Sequence, residues 1–289
     1  MSLSPAVALQ YLLPKQALTT FAGWCAGSRA IWWTHNVIPW FIRRYGVNMA
    51  EAANPDPRSY ETFNQFFTRA LKPGARPLAA AAFVSPVDGA ISQLGAIEGD
   101  QIFQAKGHSY STQALVGGDA GLAAQFEDGD FATIYLSPKD YHRIHMPSDA
   151  RLRRMIYVPG DLFSVNPATA QGVPGLFARN ERVVCVFDVP HGTEGHVRPF
   201  VQVLVGATIV GSMSTAWHGV VNPPRSGHVR EWTYEEDDEP KVLAQGDEMG
   251  RFLLGSTVVL LWPKDTIAFQ PDWQAGRAVR MGEAMGQAV

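Results

Sequence analysis

From about residue 80 onward the chain is a succession of short apolar runs parted by Gly, Pro and Asp: "AAFVSPVDGAISQLGAI", "FATIYLSP", "ARLRRMIYVPG", "RVVCVFDVP", "FVQVLVGATIVGSM" and "STVVLLWP". Runs this short, this closely spaced and bounded by turn residues fit strands rather than helices. They predict a mainly antiparallel domain, sandwich or barrel-like. A chain of 289 residues with 46% hydrophobic content is long enough to bury a large core around them.

Residues 5 to about 70 have a different texture, Ala- and Leu-rich with helical spacing. Trp24, Trp32, Trp33 and Trp40 place half of the eight tryptophans within 17 positions, among Lys15, Arg29, Arg43 and Arg44. Aromatics beside basic residues fit helices lying in a lipid headgroup zone; they also fit a helical layer that packs its aromatics on the main domain. The most apolar stretch is interrupted by Arg29, His35 and Pro39 and lacks the roughly 20 uninterrupted apolar residues of a membrane span. No secretory signal pattern stands at the start. Between "EAANPDPRSY" and "LKPGARPL", the segment "YETFNQFFTRAL" predicts one further amphipathic helix. The expected class is α+β, with helices over 1–70 and a β-rich domain over 71–289.

A net charge of -3 exerts no global pull on nucleic acid. Cys25 and Cys185 form no CxxC pair, which suits a reducing compartment and speaks against a disulfide scaffold or a cysteine metal site. "YEEDDEP" reads as a solvated acidic loop.

Three segments carry polar residues where a β core would rather have none. Asp88 sits in the "SPVDGA" turn, where Asp before Gly also serves as an ordinary turn former. His142 and His145 stand three apart in "SPKDYHRIHMPSDA". Paired histidines are also a metal-ligand motif, though no matching cysteine or HExxH-type partner accompanies them. Ser256 follows Gly255 at the head of "STVVLLWP". Asp, His and Ser are the parts of a nucleophilic triad, in which a carboxylate orients an imidazole that takes the serine proton.

A serine hydrolase displays its nucleophile on a tight elbow such as GxSxG, whereas Ser256 runs straight into an apolar strand. The acyl group within easy reach of such a serine is the carbonyl of Gly255. Glycine presents no Cβ to obstruct attack and accepts unusual backbone angles. Attack converts the Gly255–Ser256 amide to an ester. Loss of the Ser256 α-proton then leaves dehydroalanine, which hydrolyses to a pyruvoyl group with release of ammonia. A pyruvoyl ketone is an electron sink that decarboxylates an amine-bearing acid without pyridoxal phosphate.

Eight stretches in order, "FNQFFTRALKPGARPL", "SPVDGAIS", "QAKGHSYSTQALVGG", "YHRIHMP", "GDLFSVN", "LFARNERVV", "VGATIVGSM" and "GDEMGRFLLGSTVVLLWP", make the chain resemble the bacterial type of phosphatidylserine decarboxylase over about 60–265. That family's LGST motif stands complete as Leu254-Gly255-Ser256-Thr257. The resemblance implies self-cleavage by Asp88, His145 and Ser256 into a β chain, 1–255, and an α chain, 256–289. It implies a pyruvoyl group from Ser256 that forms a Schiff base with the substrate amine, with no metal and no pyridoxal phosphate. His142 is implied as the residue that protonates the α-carbon after carbon dioxide leaves, and Ser164 as a headgroup contact, although a turn hydroxyl capping the backbone reads equally well there. Phosphatidylserine in a membrane is the implied substrate, and the lipid favours the interfacial reading of the helices. A homodimer, peripheral on the cytoplasmic face of the cell membrane and without nucleic-acid partners, is implied as well. The alternatives are a serine hydrolase that does not cut itself, a membrane-attached β domain that binds lipid, and the same chemistry on an ether lipid or a soluble amine.

Overall fold

The computed structural model describes residues 5–192, 195–209, 212–235, 239–253 and 256–289. Three helices come first: α1 (Pro5–Leu12), α2 (Lys15–Gly27) and α3 (Ile31–Tyr45), the last closed by Gly46 at φ 70°. A short α4 (Phe63–Phe67) follows, its first turn capped by the Thr62 hydroxyl, which accepts from the Gln65 amide. The "YETFNQFFTRAL" helix is thus shorter than its pattern predicts. Past Thr68 the chain leaves the helix to bridge back on residues 51–53, with Leu71 opposite Ala52 and the Lys72 amide on the Glu51 carbonyl. Ile38, Phe63, Phe66 and Phe67 join α3 and α4 in a local cluster. Val7 of α1 instead packs into the core beneath the main sheet, and Gln10 donates to Thr169 at 3.1 Å.

The strands that matter here are β1 (Gly89–Ala96), β2 (Asp130–Leu136), β3 (Arg143–His145), β4 (Ala150–Val158), β5 (Arg182–Pro190), β6 (Val197–Val205), β7 (Met213–Thr215), β8 (Arg230–Thr233), β9 (Glu248–Phe252), β10 (Ser256–Trp262) and β11 (Ala278–Val279). The main sheet runs β8-β4-β5-β6-β10-β2-β1-β11, and all its ladders are antiparallel. A second, four-stranded sheet orders Gly219–Asn222, β7, β9 and β3. The antiparallel α+β class is as the apolar runs predict. Closure into a barrel is not: β8 and β11, of four and two residues, stand at opposite edges and do not pair.

Strand β10 lies near the middle of the sheet, with β6 on one side and β2 on the other. Val258, Leu260 and Trp262 enter the core on one face, against the smaller sheets, and Val259 and Leu261 enter the core on the other face, under short helices and a hairpin. Burial on both faces is why "TVVLLW" is continuously apolar rather than alternating. Truncating Leu260 or Leu261 to Ala removes a fully buried side chain, at a cost of about 2–5 kcal/mol.

No described helix is long and apolar enough to cross a membrane. Phe21, Trp24, Ile31 and Trp32 on α2 and α3 are each more than three-fifths exposed.

Candidate active site

One end of the main sheet gathers the residues that the sequence singles out. Ser256 pairs with Leu136 at the end of β2, and Ala90, next to the Asp88 turn, pairs with Tyr135 on the other side of the same strand. From Leu136 the chain continues through Ser137 and Asp140 into His142 and β3. Strand β9 then lies along β3, with Glu248 opposite His145, and the Phe252 amide donates to the His142 carbonyl at 3.2 Å. Both strands that flank the Gly255–Ser256 bond are therefore pinned to the segment carrying the histidines. Leu254, Gly255 and the Ser256 side chain lie outside the described part of the structure.

The turn that carries Asp88 is locked by its neighbours. The Pro86 carbonyl accepts from the His145 amide at 2.9 Å. A Cβ on Gly89 would come within 2.5 Å of the Tyr135 carbonyl oxygen, so the close approach of β1 to β2 requires glycine there. Asp88 is itself nearly buried, and its carboxylate accepts from Arg76 Nε at 2.9 Å, Arg76 Nη2 at 2.5 Å and the Met281 amide at 2.9 Å. Arg76 Nη2 also donates to Glu51 at 2.8 Å, and that second pairing holds Glu51 below the usual carboxylate range.

The two histidines have the same tautomer, set in each case by a backbone carbonyl. His145 Nδ1 lies 2.8 Å from the Gly246 oxygen, and His142 Nδ1 lies 2.8 Å from the Asp140 oxygen. A carbonyl only accepts, so each Nδ1 carries the proton and each Nε2 keeps its lone pair. At His145 the Tyr141 hydroxyl donates to Nε2 at 3.2 Å, and burial pushes the Tyr141 pKa up to about 12, so the phenol stays protonated. At His142 Nε2 has no partner among the described residues, the side chain is fully buried, and Phe67 covers the ring at 4.0 Å between centroids. Burial lowers the pKa of both rings, that of His142 to about 3; for His145 the Gly246 bond and the nearby Glu248 and Asp88 charges act in the opposite direction. Both imidazoles are neutral near pH 7.

Asp88 and His145 are thus brought within electrostatic reach, but the hydrogen-bond partner of His145 Nδ1 is Gly246, and the Asp88 carboxylate is held by Arg76 and the Met281 amide. Ser164 is held from α1, since Gln10 accepts its amide hydrogen at 2.8 Å, while its hydroxyl accepts from the Asn166 amide at 3.5 Å. Arg76, Tyr141 and the Gly246 carbonyl escape the sequence reading. A cavity of about 610 Å³ opens on the Asp88 side, lined by Glu51, Arg69, Arg76, Asp88, Lys139 and Tyr141 among others. Neither histidine is on its wall. Among the described residues no group of three or more His, Cys, Asp or Glu side chains is placed to hold a metal.

A pyruvoyl group at position 256 would stand at the head of β10, between Leu136 and the buried Thr257. Among the described residues the Thr257 hydroxyl has no hydrogen-bond partner, and neither does His142 Nε2. Buried polar atoms in native folds are nearly always satisfied, so two orphans at this end of the sheet fit a site that receives further polar groups.

Comparisons with known proteins identify the family. A family model described as phosphatidylserine decarboxylase matches residues 63–287, and a second, described as PSD, matches residues 5–46. The phosphatidylserine decarboxylase proenzyme of Polaromonas naphthalenivorans is 71% identical over 97% of this chain and 95% of its own. Those of Albidiferax ferrireducens and Variovorax paradoxus are each 69% identical, over 98% and 99% of this chain and 96% and 98% of theirs. With a model that spans most of its length and relatives this similar throughout, the chain belongs to the phosphatidylserine decarboxylase family.

Proposed function

We propose that the protein cuts its own chain between Gly255 and Ser256 and then decarboxylates phosphatidylserine to phosphatidylethanolamine at a membrane surface. The observation that carries this reading is the pairing of β9 and β10, the strands flanking that bond, with the two ends of the segment from Leu136 to His145.

In the cut, His145 Nε2 takes the hydroxyl proton of Ser256 as its oxygen attacks the Gly255 carbonyl. The C–N bond breaks, the proton passes to the departing nitrogen, and an ester joins the two parts. Removal of the Ser256 α-proton expels the Gly255 carboxylate, and water completes the change to pyruvoyl and ammonia. Asp88 acts through its field, which favours the imidazolium that forms on His145. The Tyr141 hydroxyl orients Nε2 until the serine takes its place.

When present, the pyruvoyl group supplies the electron sink for the pair left behind by carbon dioxide. The remaining work falls to His142. Nε2 of His142 has no partner among the described residues and is the atom that delivers a proton to the α-carbon once the carboxylate has gone; burial disfavours the imidazolium, which makes it a ready donor when it forms. The loop holding Ser164 runs on to Pro167 at the cavity wall, which fits a headgroup contact.

The exposed aromatics of α2 and α3, with Arg43 and Arg44 in the last turn of α3, fit a helical region over 1–70 that rests in the headgroup layer of an anionic membrane while 71–289 carries the chemistry. Peripheral attachment to the cytoplasmic face and a homodimer complete the proposal, both on the family resemblance. The test is release of carbon dioxide from short-chain phosphatidylserine in micelles. The processed wild-type protein is expected to release it and Ser256→Ala to release none; a fully processed protein inert on this lipid overturns the reading.

A further inference from the structure

Arg69, just past α4, is a buried cation with no ion-pair partner among the described residues, although the Asp88 charge acts on it at longer range. It is 4% exposed and lies on the wall of the cavity beside Asp88. Among the described residues its guanidinium makes one hydrogen bond, from Nη2 to the Lys139 carbonyl at 3.4 Å, Nε has no partner, and Phe66 covers one face with its ring centroid 5.5 Å from Cζ. The acids that share the cavity are engaged elsewhere: Arg76 takes Asp88 and Glu51, Arg277 lies 3.5 Å from Glu283, and Asp140 accepts from the amide and hydroxyl of Ser137 at 2.7 Å each.

Arg182 shows how this fold treats an arginine whose role is structural. It is 3% exposed, and its Nε, Nη1 and Nη2 donate to the carbonyls of Leu115, Asn180 and Ala114 at 2.6, 2.8 and 2.5 Å. Arg69 has no such set. A buried guanidinium with so few protein partners is well placed to be balanced by an anion.

Its position says which anion. Phe67, two residues earlier, packs on the His142 ring, and Lys139, whose carbonyl Arg69 touches, precedes His142 by three residues. We infer that Arg69, with Lys139 at the exposed rim, seats the phosphodiester of a phospholipid headgroup; this rests on the function proposed above. The headgroup also bears a carboxylate, but that charge disperses as the carbon–carbon bond breaks. A fixed cation upon it would stabilise the ground state more than the transition state. The phosphodiester keeps its charge throughout and matches the planar fork of a guanidinium. Burial is the main reason the His142 pKa is low, and the Arg69 charge adds to it. An anion on Arg69 offsets that second effect and makes Nε2 a better proton acceptor when substrate is bound.

The test uses the processed protein and its Arg69→Gln and Arg69→Lys variants, with processing checked by intact mass. Kinetics on short-chain phosphatidylserine are combined with inhibition by glycerophosphoethanolamine, which has the phosphodiester but no carboxylate, and by inorganic phosphate. The expected result is normal processing in R69Q, a KM raised about tenfold or more with kcat within about threefold, and an equal rise in the inhibition constant of glycerophosphoethanolamine. R69K recovers part of the loss, and inorganic phosphate inhibits the wild type more weakly than the phosphodiester. Unchanged KM and inhibition in R69Q overturn the assignment, as does a fall in kcat alone. Equal potency of inorganic phosphate overturns it in favour of a free-phosphate site. Should R69Q fail to fold, a wild-type enzyme indifferent to glycerophosphoethanolamine overturns it as well. A processed wild type inert on phosphatidylserine defeats instead the reading on which it rests.

Discussion

Arg76 grips the Asp88 carboxylate at both oxygens, from Nε at 2.9 Å and from Nη2 at 2.5 Å, so the candidate triad acid is bound to arginine rather than to His145. Arg76→Ala leaves that buried carboxylate with the Met281 amide alone. Removing one partner of a buried pair costs about 3–5 kcal/mol, and Asp88 loses its position as well. Urea denaturation is expected to show a loss of this size and a time course of chain cutting to show slower processing. Arg76→Lys keeps the charge without the fork and recovers part of both. Wild-type stability in R76A contradicts the assignment.

Tyr141 donates to the basic nitrogen of His145. Tyr141→Phe keeps the ring, which lies 5.6 Å from the imidazole, and removes the hydroxyl. One hydrogen bond of about 1 kcal/mol corresponds to a loss of stability of about that size and, where it orients the base, to processing slowed roughly threefold to tenfold. Processing followed by gel separation of the two chains checks this, and an unaltered rate removes Tyr141 from the account.

His142 is neutral when folded because burial lowers its pKa to about 3, against 6.5 for a free side chain, and burial lowers His145 too. Between these values the unfolded chain binds more protons than the native one. Stability from these groups is therefore intact above about pH 6.5 and falls as the pH drops toward 3. Denaturation midpoints at pH 7.5 and 5 should differ, and His142→Gln should reduce the difference. An equal pH dependence in the variant counts against a buried neutral ring.

The strands are legible in the sequence because each apolar run is cut by residues that cannot continue it. "FATIYLSP" becomes β2 and ends before Pro138, and "RVVCVFDVP" becomes β5 and ends on Pro190. Asp88, His142, His145 and Ser256 stand out because polar groups there oppose a β core. Their partners are illegible. Gly246 is 101 residues from His145, and a backbone carbonyl leaves no mark in side-chain pattern. Arg76 sits in "LKPGARPL", which reads as a polar joint, and only the fold directs its guanidinium inward to Asp88. The open edges of the sheet are hidden too, since strand count alone does not say whether β8 meets β11.

Trp24 on α2 and Trp32 in the first turn of α3 are each 72% exposed, and Arg43 and Arg44 stand in the last turn of α3. Under interfacial attachment, changing both to Ala is expected to weaken binding to vesicles of phosphatidylserine and phosphatidylglycerol by about tenfold or more while chain cutting proceeds normally. Sedimentation with vesicles measures the first and intact mass the second. Undiminished binding assigns these side chains another role.

Self-processing at Gly255–Ser256 is tested most directly by the intact mass of the purified, denatured protein beside Ser256→Ala. Two chains are expected from the wild type, residues 1–255 and 256–289, the smaller with a ketone in place of its N-terminal amine, and one uncut chain from the variant. A single stable species of 31.6 kDa from the folded wild-type protein contradicts the account.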